Sequence, residues 1–147
     1  MVFWPSNRGR ERLEQNLAFS CADQEFEPIP EAVEKKSLKQ DTDGKYLEFS
    51  FISPAVGLRC RETLQRIADQ TGWRIRIADK VNQNGLLQTA RLLCMEYDIL
   101  PVKNPSYLPE KRMVQMKVSQ AAEPEVISKI EEEFREKTGC GCEIVVV

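Results

Sequence analysis

Glu62-Thr63-Leu64-Gln65-Arg66-Ile67-Ala68-Asp69-Gln70-Thr71-Gly72-Trp73-Arg74-Ile75-Arg76-Ile77 is the stretch on which the fold turns. Leu64, Ile67 and Ala68 recur at three- and four-residue spacing and share one face of a helix. Gly72 suits the left-handed position just past a helix end. Trp73, Ile75 and Ile77 then alternate with Arg74 and Arg76, the period of a half-buried strand. Upstream, Leu47, Phe49 and Phe51 alternate with Glu48 and Ser50, and Ser53-Pro54 ends that strand. The spacing predicts strand, helix, strand: a β-α-β unit over residues 45–80.

A shift of 67 residues lays a second such unit on the first without a gap. Leu47, Phe49 and Phe51 fall on Val114, Met116 and Val118, and Thr71-Gly72 on Thr138-Gly139. Ile75 and Ile77 fall on Cys142 and Ile144. Few residues are identical, so the repeat is one of pattern. Between the units, Leu86, Leu87, Ala90, Leu93 and Cys94 predict a joining helix, with Asn84 as its cap. Pro101, Pro105 and Pro109 punctuate an irregular or edge segment after it. The expected class is α/β (α+β), two β-α-β units joined by a helix, with helices layered on sheet.

Residues 1–44 read differently. Ser6 is placed to cap a short helix reaching about Ala18, and residues 21–44 are acidic, polar and broken by Pro28 and Pro30. They are expected as a flexible arm. The domain reading is therefore an arm at 1–44, a first unit at 45–103 and a second at 104–147, packed as one body.

Composition narrows function. The chain has no histidine, which removes imidazole acid-base catalysis, Ser-His and Cys-His nucleophiles and histidine-held metals. Cysteines at 21, 60, 94, 140 and 142 are odd in number and widely spaced, unlike a disulfide framework. Cys140-Gly141-Cys142 lacks a second close pair for zinc and reads as buried thiols on a strand. No phosphate loop and no dinucleotide glycine cluster occurs. Glu131-Glu132-Glu133 point different ways around a helix and form no carboxylate dyad. The expectation is no enzyme, no cofactor, no metal and no membrane span, in the cytoplasm.

The opening stretch resembles the second helix and following strand of a K-homology (KH) domain, which reads Glu-Thr-Ile, Ile, Thr-Gly and alternating Ile. Residues 127–144 resemble it more weakly. The resemblance implies the fold more than the function, since the family binds single strands through a Gly-x-x-Gly loop that clamps the backbone. Here that loop falls on Leu58-Arg59-Cys60-Arg61 and on Glu125-Val126-Ile127-Ser128, and neither carries the glycines.

Charge supplies the candidate site. Residues 45–80 hold seven basic and four acidic side chains, against six and nine in residues 1–44. A basic surface of Arg59, Arg61, Arg66, Arg74 and Arg76 would meet phosphates, with Tyr107 placed to stack on a base. Cys60 sits among arginines that could lower its pKa, but a buried thiol on the helix face is the expected reading. The functional expectation is a non-catalytic module binding single-stranded or structured RNA. The alternative is a protein-interaction or dimerisation module of a larger assembly, with a protein partner or a second copy.

Overall fold

The computed structural model describes residues 1–6, 11–119 and 122–147, in two units, 1–80 and 81–147. The first contains β1 (Val2–Phe3), α1 (Gln15–Glu25), a 3-10 turn (Pro30–Ala32), β2 (Lys35–Asp41) and β3 (Gly44–Ser50). Then come α2 (Pro54–Arg59), α3 (Arg61–Thr71) and β4 (Ile75–Ile77). Its sheet runs β1-β4-β3-β2, with β3 and β4 parallel and the outer pairs antiparallel. Leu47 and Phe49 of β3 and Ile75 and Ile77 of β4 are buried with Leu64, Ile67 and Ala68 of α3 and Ala18 and Ala22 of α1. Each fully buried Leu, Ile or Phe contributes roughly 1.5–3 kcal/mol.

The second unit contains α4 (Gln83–Glu96), β5 (Ser106–Leu108), β6 (Met113–Val118), α5 (Pro124–Thr138) and β7 (Gly141–Val146). Its sheet runs β5-β6-β7, antiparallel then parallel. Leu86, Ala90 and Leu93 of α4, Val114, Met116 and Val118 of β6, and Ile130 and Phe134 of α5 are among its buried apolar residues. The mixed α/β class and the layering of helix on sheet are those expected.

The repeat holds in register as well as in pattern. Leu47 lies across from Ile75 and Phe49 from Ile77, and Val114 lies across from Cys142 and Met116 from Ile144. Both helices end alike. Gly72 (φ 73°) and Gly139 (φ 70°) take the left-handed conformation, where a Cβ is costly. The Thr71 hydroxyl donates to the Ile67 carbonyl at 2.6 Å and accepts from the Trp73 amide at 3.3 Å. Thr138 does the same with Phe134 and Cys140, at 2.7 and 3.1 Å.

The structure differs from expectation outside these elements. The stretch read as an arm is built into the first unit: α1 packs on α3, and β2 pairs along its whole length with β3. The repeat is thus larger than β-α-β. Each unit runs helix, strand, strand, helical segment, strand, and the division falls at 80/81 rather than at 44/45 and 103/104. Lys35-Lys36-Ser37-Leu38-Lys39-Gln40-Asp41 is mostly polar, as an outer strand can be, and carries no apolar alternation that marks a strand. The N-terminal helix starts at Gln15, and Glu14 caps it by accepting from the Asn16 and Leu17 amides. Part of the helix expected from Ser6 lies at 7–10, outside the described residues. Asn82, not Asn84, caps α4, accepting from the Gly85 amide at 3.0 Å.

Candidate nucleic-acid interface

The first unit separates the five arginines expected to share one surface. Arg74 and Arg76 alternate with the buried Ile75 and Ile77 and so project from the sheet face opposite the helices. Arg59, Arg61 and Arg66 belong to the helical layer. Tyr107 lies half-buried on β5 of the second unit, across from Val114. No single basic patch of the expected membership forms.

Arg74 is buried, with 6% of its side chain exposed. Its Nη2 donates to Asp41 Oδ1 at 2.6 Å and to the Gly44 carbonyl at 3.0 Å. Its guanidinium carbon lies 5.2 Å from the Trp4 ring centroid and 4.7 Å from that of Tyr46. Arg76 lies 5.2 Å from the same Tyr46 ring and pairs with Asp41 Oδ2 at 3.6 Å. Trp4, Tyr46, Arg74 and Arg76 therefore interlock on the sheet face opposite the helices, and the β2–β3 turn supplies the countercharge. The Arg74 hydrogen bond holds the Asp41 carboxyl below its ordinary pKa, helped by the Asp43 amide and the two guanidinium charges. Arg74 holds the hairpin in place from within the sheet, and Arg76, 40% exposed, braces the same turn from its outer side.

Arg66 is also committed. Its Nε donates to Glu25 of α1 at 3.2 Å and its Nη2 to the Thr63 hydroxyl at 3.2 Å. Lys36 pairs with Asp23. Glu25, Asp41 and Asp43, from the stretch expected as an arm, thus pair with arginines of the basic segment, and residues 1–80 hold thirteen basic and thirteen acidic side chains. Sequence reading missed this because pairs such as Arg74 with Asp41 are set by strand register, not by local spacing.

Arg59 and Arg61 are exposed at the α2–α3 junction, one on each side of Cys60. Arg61 Nη1 donates to the Leu58 carbonyl at 3.2 Å, within the same turn, and Leu58 is itself exposed. Gly57 lets α2 approach the sheet: a Cβ there would lie 2.8 Å from both Ile77 Cγ2 and Phe51 Cδ2. That packing fixes where the two guanidiniums emerge.

Four of the five thiols are buried. Cys60 is buried on the helix face, as expected, and burial pushes its thiol up despite the opposing charge of Arg59. Burial pushes Cys142 up to about 12. Cys140 and Cys142 are both buried, and no group of His, Cys, Asp or Glu among the described residues is arranged to hold a metal ion. No described helix is long and apolar enough to cross a membrane. No protein-family model matches the sequence, and no curated protein matches it.

Proposed function

We propose that the chain is a non-catalytic, KH-like nucleic-acid-binding module, with RNA the favoured ligand, and that its contact surface is the α2–α3 junction rather than the sheet face. One observation carries this reading: Arg59 and Arg61 are both exposed at the turn between two helices, flanking an exposed Leu58. This turn is where the resemblance puts the backbone clamp. Two cations and an apolar side chain can contact phosphates and a base or sugar there without glycine. The contact would be electrostatic and weakly selective, because a side-chain clamp lacks the close backbone approach that glycine permits.

The test is binding of a labelled single-stranded RNA pool across salt concentrations. Affinity is expected to fall with salt, and R59A/R61A to weaken it about uniformly across sequences and to lower the salt slope by about 1 to 2. Absence of binding at low salt refutes the reading. Binding unchanged in R59A/R61A refutes the assigned surface.

A second reading, a protein-interaction or dimerisation module, is supported by the second unit. Leu92 and Met95 of α4 are exposed, and so are Val146 of β7 and the adjoining Val147.

A further inference from the structure

The repeat places β7 where β4 stands in the first unit, but the two strands differ at their outer edges. Every other residue of a strand turns its amide and carbonyl away from a parallel neighbour. In β4 those residues are Ile75 and Ile77, and β1 takes their backbone groups: Phe3 lies across from Ile75, and the Ile77 amide donates to the Met1 carbonyl at 3.2 Å. On β7, the amides of Gly141 and of the adjoining Val147 donate to the β6 side, to Arg112 at 3.3 Å and Val118 at 2.9 Å. The intervening Cys142, Ile144 and Val146 therefore turn their backbone groups outward. Among the described residues no strand pairs with that edge.

The edge also lacks the usual protection. Gly141-Cys142-Glu143-Ile144-Val145-Val146 has no proline, no lysine and one charge. Such an edge is a template for another strand.

We infer that β7 pairs antiparallel with β7 of a second copy, giving a two-fold dimer with one continuous sheet in the order β5-β6-β7-β7-β6-β5. This deepens the interaction reading and does not depend on RNA binding. The outward groups set the register. Ile144 meets Ile144 at the two-fold, and Cys142 meets Val146, for on the order of six backbone hydrogen bonds. The pairing is self-complementary and uses up both edges, so it closes.

Charge favours a second copy over an unrelated strand. In this register Glu143 lies beside Val145 of the other copy, and Val145 lies beside Lys117 in its own sheet. Glu143 and the other copy's Lys117 then share a sheet face about 9.5 Å apart between backbones, within the joint reach of their side chains. The pair forms twice, once on each side of the axis.

Sedimentation equilibrium of the full chain tests this over about 1–300 μM, a range suited to an interface at the small end of the scale. The mass should rise with concentration from 16.9 kDa toward twice that. Ile144→Pro removes an outward amide and leaves the bonds to β6. It should weaken association at least tenfold with an unchanged far-UV spectrum. Val146→Lys, which changes an exposed side chain, should weaken it independently. Glu143→Lys and Lys117→Glu should each weaken self-association several-fold, and mixing the two variants should restore it. A single mass of 16.9 kDa at all concentrations overturns the inference but leaves open a hetero-partner under the interaction reading. A dimer indifferent to both Ile144→Pro and Val146→Lys, or charge variants that do not recover on mixing, overturns it as well.

Discussion

Arg74 Nη2 donates to Asp41 Oδ1 at 2.6 Å, joining β4 to the turn of a hairpin 33 residues earlier in the chain. The same nitrogen reaches the Gly44 carbonyl at 3.0 Å, so one buried guanidinium holds both sides of that turn. Two of the arginines expected to bind phosphate therefore serve the first unit's own sheet.

Replacement of Arg74 should be costly to the fold and neutral to RNA binding. Arg74→Met keeps apolar bulk between Trp4 and Tyr46 but leaves the Gly44 carbonyl without its charged donor. Urea denaturation should show a loss of about 2 kcal/mol, the worth of a hydrogen bond to a charged group. RNA affinity should stay within twofold of the parent. A loss of affinity matching that of R59A/R61A, with stability unchanged, would reverse the assignment.

Acid should loosen the same latch. Asp41 has a folded pKa below its ordinary 3.8, chiefly through the Arg74 hydrogen bond, and Asp69 is lowered chiefly by the Ser6 amide. A carboxyl lowered on folding stabilises the fold above its unfolded pKa. That contribution declines as pH falls past the unfolded value and is gone below the folded one. Urea midpoints should therefore drop between about pH 5 and pH 2, and Arg74→Met should flatten part of the drop. An equal pH slope in parent and variant would show that Asp41 is not linked through Arg74.

Gly72 should resist substitution for two reasons. Its φ of +73° is left-handed, and an added Cβ would lie 3.1 Å from the Glu11 carbonyl oxygen. Gly72→Ala should cost more than about 1 kcal/mol, measured by thermal or urea unfolding. Gly57→Ala meets Ile77 and Phe51 at 2.8 Å and should cost about 1–3 kcal/mol as overpacking. Because Gly57 sets the height of α2, this second change should also reduce RNA affinity, and unchanged affinity would show that the placement of Arg59 is not critical.

Thiol titration with an aromatic disulfide should separate the cysteines. Cys21 is half-buried on α1 and should react first. Cys142 is buried, with its thiol pushed up to about 12, and should stay unreacted in the folded protein at pH 8. All five should react in denaturant. Rapid native labelling of Cys142 would contradict its burial and the packing of β7 on α5.

Where short-range physics governs, the sequence was a good guide. Thr71-Gly72 and Thr138-Gly139 both end helices, Ile75 and Ile77 both face inward, and the 67-residue shift carries over into strand register. These follow from side-chain period and from the one residue that tolerates a left-handed φ at no cost. The mostly polar β2 hid from the same reasoning, because an outer strand needs little apolar surface of its own. The site was less legible. Arg59 and Arg61 are exposed as expected, and the acidic partners of Arg66 and Arg74 are not revealed by local spacing.

The Glu62–Ile77 stretch by itself determined a helix, its stop and a strand, since each depends on residues within a turn or two of one another. Only tertiary structure decided that Arg74 would be buried against Asp41 and that Glu25 would pair with Arg66. The physical reason is that an ion pair's worth depends on distance and desolvation. Both are set here by which strands lie side by side, a relation between segments that no local pattern encodes.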